Sequence, residues 1–390
     1  MSEICQENSV YLQRYLNLSA LLKQKSFFLF GPRATGKTSL IREQLAQNVL
    51  SINLLRSDLF MRLNANPSLL EDIIETAQNK DTIIVIDEVQ KIPLLLDEVH
   101  RLIEEKKIKF LLTGSSARKL RKSNVNLLAG RAWEANLFPL IKNEIPDFSL
   151  QRYLEFGGLP TVYLSENPKE ELIAYVDTYL KEEIQAEAVV RKIQSFSSFL
   201  RISALTSGKM LNFSSLSNDI GIPASTMREY YQVLEDTLIG FLLPAWTKSQ
   251  KRKAISTAKF YFFDIGVRNQ LADIKSIEPY SDLYGQAFEH FIAMELRAYL
   301  SYNRKNVGLS YWAAKNGQEV DFIVGDDIAI EVKTTQQVSS KHLKGLKALQ
   351  EENICKKYFL ISFDKLHRIH EGLEIIYWED FLNRLWNHEI

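Results

Sequence analysis

The sequence predicts an α/β protein: a parallel sheet wrapped by helices, then a helical segment, a small module of two helices and two strands, and a second α/β domain. Three observations predict it. Between residues 26 and 140, short β-branched and aromatic runs alternate with segments of helical spacing, the pattern of a parallel sheet with crossover helices. A glycine-rich turn at residues 31–38 follows the first run and opens a helix. Beyond residue 284 a second group of apolar runs carries acidic and basic residues two positions apart.

Five strands are expected in the first region, at 26–30, 49–54, 82–86, 108–112 and 133–138. They read as nearly continuous apolar runs, as strands buried on both faces do. Segments such as 39–45, 67–77 and 94–105 separate them and carry apolar residues at helical spacing. Residues 153–205 are mainly helical, with an interruption at Phe156-Gly157-Gly158-Leu159-Pro160, and suggest a small helical lid. Within 213–236 two short helices flank Gly221-Ile222-Pro223, a helix-turn-helix pattern. Strands at 238–246 and 259–263, joined by a basic turn with Lys248, Lys251, Arg252 and Lys253, would complete a winged helix. The last unit starts with a helix through residue 300, then strands at 309–313, 320–324, 328–332 and 357–362 with a helix at 341–349. The expected domains are thus 1–150, 151–205, 206–275 and 276–390.

Composition narrows the function. Across 390 residues, 48 Lys plus Arg balance 48 Asp plus Glu, so any contact with nucleic acid must come from local patches. Cys5 and Cys355 are too few for a disulfide framework or a thiolate metal site, and a reducing cytoplasm is expected. Every apolar run is far shorter than the ~18 residues of a membrane span, and the first residues lack a signal-peptide core, so no membrane partner is expected.

Gly31-Pro32-Arg33-Ala34-Thr35-Gly36-Lys37-Thr38 matches the P-loop pattern, between a strand and the helix that begins at Ser39. Its glycines let backbone N–H groups turn inward around phosphate oxygens, and the helix start favours negative charge. Lys37 would reach the β- and γ-phosphates and Thr38 would hold Mg²⁺. The run Ile83-Ile84-Val85-Ile86 delivers Asp87 and Glu88 at a strand end. Asp87 suits Mg²⁺ held through its water shell, and Glu88 suits a group that polarises the water attacking the γ-phosphate. Thr113, at the end of the next strand, either positions that water or caps the following helix. Arg131 precedes the fifth strand and would project from the subunit edge, where it can act across an interface.

These motifs resemble the AAA ATPases, in particular a bacterial and archaeal family that joins an AAA module to a C-terminal domain of unknown function of the DUF4143 type. The likeness is carried by GPRATGKT, IIVIDEVQKIP, FLLTGSS, LLAGRAWEANLFPL, YLEFGGLP, FYFFDIGVRNQL, and GQAFEHFIAMEL with EVDFIVGDDIAIEVK, which span nearly the whole chain. The resemblance implies a P-loop AAA-type core, ATP as the nucleotide and a ring or partial ring of identical subunits. It matches Arg131 to the arginine finger of such ATPases.

The C-terminal strands carry a further pattern. A hairpin through Gly325-Asp326-Asp327 would bring Asp321 close to Glu331 and Lys333, which share one face of their strand. The preceding helix adds Glu289, giving the order of a PD-(D/E)xK nuclease-like fold. In that chemistry Glu289, Asp321 and Glu331 gather a divalent metal beside the scissile phosphate while Lys333 steadies the nucleophile. The alternative is a fold retained only for binding. Gln318 and Glu319 read as solvated.

Basic residues offer patches. The turn with Lys248 suits phosphate contact, whereas Glu229, Glu235 and Asp236 on the second helix oppose close approach to DNA and favour a protein partner. Arg118, Lys119, Arg121 and Lys122 form a second cluster, and Lys341, Lys344 and Lys347 read as an exposed stripe. The sequence therefore predicts an ATP-hydrolysing protein that couples nucleotide state to DNA engagement or cleavage. The competing expectation is a nucleotide-gated, protein-binding switch or scaffold whose nuclease-like domain is inactive.

Overall fold

The computed structural model describes residues 11–45, 49–76, 82–114, 128–180 and 193–390. Cys5 and the cluster from Arg118 to Lys122 lie outside them. The chain divides into two compact units, Met1–Phe148 and Ser149–Ile390.

The first unit is a parallel five-stranded sheet. Its strands are β1 (Ser26–Phe30), β2 (Val49–Asn53), β3 (Ile83–Asp87), β4 (Phe110–Gly114) and β5 (Ala132–Asn136), in the order β2-β3-β4-β1-β5. All five expected strands are present, the first at its expected bounds and the others with ends displaced by at most two residues. The helix after the P-loop spans Lys37–Gln44, and helices Leu69–Thr76 and Leu95–Lys106 match the other expected segments. Two helices were not anticipated, Leu18–Gln24 and Ser57–Ala65. Asn17 caps the first by accepting from Ala20 N at 2.9 Å. Strand β1 is buried along its whole length, and Leu111 and Leu112 beside it are fully buried. The order places β4 between β1 and β3, so three strand ends open at one edge, where ligands bind in open α/β sheets.

The second unit starts with helices Leu150–Phe156, Pro160–Leu164 and Pro168–Ala174, a π-helical stretch Tyr175–Leu180, and helix Ile193–Leu205. Helices Phe213–Ile220 and Ala224–Asp236 follow, separated at Gly221, whose φ of 70° ends the first. Strands β6 (Gly240–Leu243) and β7 (Lys259–Phe262) pair antiparallel. Helices Ile265–Leu271 and Asp282–Tyr302 lead into a six-stranded mixed sheet. Its strands are β8 (Leu309–Ala313), β9 (Glu319–Val324), β10 (Ile328–Val332), β11 (Lys357–Ser362), β12 (Arg368–His370) and β13 (Leu373–Tyr377), in the order β12-β13-β11-β10-β9-β8. Helix Lys344–Gln350 contributes Leu346 and Leu349 to a core with Trp312, Ile323 and Leu360. Phe288 and Phe291 of the long helix pack edge-on against Trp378, the first residue of helix Trp378–Trp386. β12, β13 and this last helix escaped the sequence reading.

The segment expected as a basic turn is not one. Strand β6 stops at Leu243, before Pro244, which has no N–H to continue the ladder, and Trp246 packs in the core of the six-stranded sheet. Residues 244–255 instead run beside β8: Trp246 N donates to Tyr311 O at 2.6 Å and Ile255 N to Ala313 O at 2.8 Å. The basic side chains meet acids of the same unit. Lys248 pairs with Asp326 at 2.5 Å, Arg252 with Glu351, and the Gln250 and Lys251 amides both donate to Glu352 at 2.8 Å.

Candidate functional site

At the open edge of the parallel sheet, Ala34 and Gly36 adopt left-handed backbone with φ of 61° and 92°, which bends residues 31–36 into a loop before helix Lys37–Gln44. A Cβ on Gly31 would lie 2.5 Å from Leu137 O, so the loop admits no side chain there. Thr35 is fully buried, and its hydroxyl donates to Pro32 O at 2.8 Å. The Lys37 ammonium lies inside the loop, donating to Gly31 O at 2.6 Å and Pro32 O at 3.0 Å. Thr38 is exposed at the helix start, Ser39 is half-buried behind it, and Arg33 is half-buried on the loop. A loop of inward-turned backbone with a cation held by its own carbonyls is a cradle for phosphate, whose oxygens offer Lys37 stronger partners.

Asp87 and Glu88 stand at the end of β3. The Thr113 hydroxyl donates to Asp87 Oδ1, and Glu88 N donates to Thr113 Oγ1 at 3.2 Å. Thr113 therefore bridges the backbone and side chain of the acidic pair; the helix it was alternatively expected to cap lies outside the described residues. It is fully buried one strand from the P-loop, with Leu29 of β1 in register. Glu88 has φ 61° and ψ 44°, and its carboxylate accepts from Gln90 Nε2 at 2.5 Å. The sequence reading missed Gln90. Arg131, half-buried, pairs through Nε with Glu104 of helix Leu95–Lys106 in its own unit. The P-loop, Thr38 and Asp87 offer a hydroxyl and a carboxylate, hard oxygen donors of the kind a Mg²⁺–nucleotide requires.

Missed as well was Arg14. Its guanidinium is buried and forms an ion pair with Glu144 at 2.8 Å while donating to Thr35 O and Phe138 O, both at 2.7 Å. Glu144 in turn accepts from Tyr15 N at 2.6 Å and Ile141 N at 3.2 Å. Neither residue belongs to a recognisable spacing, so no local signal pointed to them.

The second candidate lies in the other unit. Ile330 of β10 is in register with Phe322 of β9, which sets Asp321 opposite Glu331. Asp321 Oδ2 accepts from Val332 N at 2.8 Å, and Lys333 Nζ lies 2.5 Å from Glu331 and 3.7 Å from Asp321. Glu289 joins them on the wall of one cavity of about 350 Å³. The four expected residues do come together. Two unexpected ones stand among them: Lys259 from β7 and Glu319, whose side chains pair at 2.6 Å. Glu319 is thus half-buried and engaged, not solvated.

Burial raises the Glu289 and Glu331 carboxyls, and neighbouring Asp321 adds to both shifts. Burial opposes the charge on Lys259 and Lys333, but the surrounding carboxylates outweigh it and raise both ammonium groups. Among the described residues no group of three or more His, Cys, Asp or Glu side chains has an arrangement that holds a metal ion. In this arrangement one oxygen of each carboxylate in the expected metal set is engaged: Glu289 by Lys259 and Tyr261, Asp321 by the Val332 amide, and Glu331 by Lys333.

Three family models match successive segments of the chain. Residues 23–145 match the model of an AAA domain, 147–278 a domain of unknown function (DUF8612), and 284–381 a domain of unknown function (DUF4143). An uncharacterized protein of Haemophilus influenzae is 23% identical over 95% of this chain and 98% of its own length. An uncharacterized protein of Methanocaldococcus jannaschii is 25% identical over 92% of this chain and 85% of its own. A solved Walker-type ATPase of Pyrococcus abyssi aligns with 65% of this chain and 93% of its own, with TM-score 0.47 and 16% identity.

Proposed function

We propose that this ATPase, which joins a P-loop AAA domain to a C-terminal DUF4143 domain, binds ATP with Mg²⁺ and uses nucleotide state to govern engagement of a partner by its second unit. The observation that carries the reading is the Thr113 bridge on β4, which joins Asp87 and Glu88 at the end of β3 to the strand next to the phosphate cradle. Residues 31–36 bind the phosphates through backbone N–H groups, and Lys37 leaves its carbonyl partners for the β- and γ-phosphates. Thr38 and Asp87 would hold the Mg²⁺ that accompanies ATP, which would supply neutralisation of phosphate charge. Glu88 polarises the attacking water once Gln90 releases it, and Arg131 exchanges Glu104 for the γ-phosphate of a neighbouring subunit in a homo-oligomer.

Replacing Glu88 by Gln is expected to leave ATP binding in place and to lower turnover by about 100-fold or more, the usual worth of a general base. Equilibrium binding of ATP alongside phosphate release checks this, and turnover equal to wild type removes Glu88 from its role.

For the partner, a protein is favoured over DNA. Lys248 and Arg252 are engaged by Asp326 and Glu351, so a duplex would have to displace resident carboxylates to use them. A DNA-binding titration at low and high salt tests this. Protein-bound phosphates would give a steep salt dependence, and its absence is expected.

A further inference from the structure

Strand β7 presents Lys259 and Tyr261 on one face, two residues apart, toward the carboxylates of the long helix and of β9. The Lys259 side chain is only 4% exposed. Its ammonium lies 2.6 Å from Glu319 Oε1 and 3.3 Å from Glu289 Oε1, and the Tyr261 hydroxyl donates to the same Glu289 oxygen at 2.5 Å. Lys333 takes Glu331 Oε1, and the Val332 amide takes Asp321 Oδ2. Glu331 Oε2 is buried, has no hydrogen-bond partner, and belongs to a side chain only 8% exposed. Four carboxylates and three lysines (Lys209, Lys259 and Lys333) thus line one cavity, and the amine from β7 sits where the carboxylate fields overlap.

A divalent cation makes different demands. Mg²⁺ needs six oxygens at about 2.0–2.1 Å in near-octahedral array. Here Glu289 is turned toward an amine and a phenol, and a second cation beside a buried ammonium meets like-charge repulsion. The D…ExK spacing is present in the sequence, but Lys333 already holds one Glu331 oxygen, the Val332 amide one Asp321 oxygen, and Lys259 one Glu289 oxygen.

We propose that Lys259 is a resident cation that occupies the place of a divalent ion in this cavity, so that the C-terminal domain does not cleave phosphodiesters by metal-assisted hydrolysis. Taking away its amine opens a divalent-cation site at Glu289, Asp321 and Glu331. The ammonium also ties β7 to the six-stranded sheet, which converts a hydrolytic pocket into a structural joint. This inference stands apart from the nucleotide reading, and ATP turnover measured on the same samples reports on that reading alone.

The test uses the full chain, stripped of metal and free of nucleotide, titrated with Mn²⁺ and followed by the electron paramagnetic resonance of the free ion. Wild type and Glu331→Gln are expected to bind Mn²⁺ alike. Lys259→Met is expected to gain about one Mn²⁺ per chain and to rise in Tm by roughly 5 °C at a hundredfold excess over Kd. Lys259→Arg, which keeps the charge, and Lys259→Met with Glu331→Gln are expected to gain none. A wild-type chain that loses a Mn²⁺ on Glu331→Gln overturns the proposal. So does a folded Lys259→Met chain that binds no more than wild type, and so does Mg²⁺-dependent DNA cleavage by wild type that Asp321→Asn abolishes. If Lys259→Met does not fold, the wild-type and Glu331→Gln pair still decides: equal binding supports the proposal and unequal binding overturns it.

Discussion

Arg14 belongs to none of the sequence motifs, and its guanidinium holds the phosphate loop from behind. It ties the carbonyl of Thr35 to Glu144 and to the end of the fifth strand, so the loop is braced before any nucleotide arrives. Arg14→Ala would leave the Glu144 carboxylate buried without its cation, which typically costs about 3–5 kcal/mol. Urea unfolding should register that loss, and ATP affinity should fall with it because Thr35 O loses its donor. Arg14→Met combined with Glu144→Leu should lie closer to wild type than either single change, since replacing a buried pair as a unit avoids the stranded charge. Residues such as Lys37, Asp87 and Glu88 were legible because their partners are neighbours in the chain or follow from strand order. Arg14 was not, because its ion-pair partner lies 130 residues away.

At the scale of elements, the FGGLP interruption and the FFD motif prove to be two halves of one joint. Asp264 caps helix Ile265–Leu271 by accepting from Val267 N at 3.0 Å and reaches across to Gly158 N at 2.8 Å. Gly157, at φ 77°, passes so close that a Cβ would lie 2.2 Å from Asp264 Oδ1, and a Cβ on Gly266 would lie 2.0 Å from Phe156 O. Gly266→Ala should therefore destabilise the second unit, read as a lower Tm, because the obstructing atom is backbone and cannot swing away. Burial pushes the Asp264 carboxyl up to about 6 despite these backbone donors. An acid whose folded pKa exceeds its unfolded value near 3.9 binds its proton more tightly when folded. Its contribution is fullest below pH 4 and is lost as pH rises through about 6. Two pKa units correspond to about 3 kcal/mol. The stability of Asp264→Asn relative to wild type should accordingly rise between pH 4 and 7, measured by urea unfolding at each pH; a constant difference would mean that Asp264 does not titrate there.

At the scale of the molecule, the proposed role of Arg131 would tie the ATP site to assembly. A trans-acting arginine is worth ~10³- to 10⁵-fold in rate, so Arg131→Ala should be almost inactive. Mixing it with Glu88→Gln chains should restore turnover, because the first supplies an intact acid and the second an intact arginine. A mixture as inactive as its parts would place Arg131 in service of its own subunit. The wider architecture was legible for a physical reason: parallel strands announce themselves as apolar runs, and the P-loop needs glycine at fixed spacing. The basic segment after β6 misled because its charges resemble a solvated turn until Trp246, buried in the sheet core, draws them onto Asp326, Glu351 and Glu352. The sequence by itself determined the nucleotide cradle and its acidic strand end, since backbone conformation and pairing order are written in local residue choice. Only the tertiary structure decided what the C-terminal carboxylates hold. That depends on Lys259, brought from another sheet to Glu289 and Glu319, and the balance between desolvation and pairing exists only once those groups are buried together.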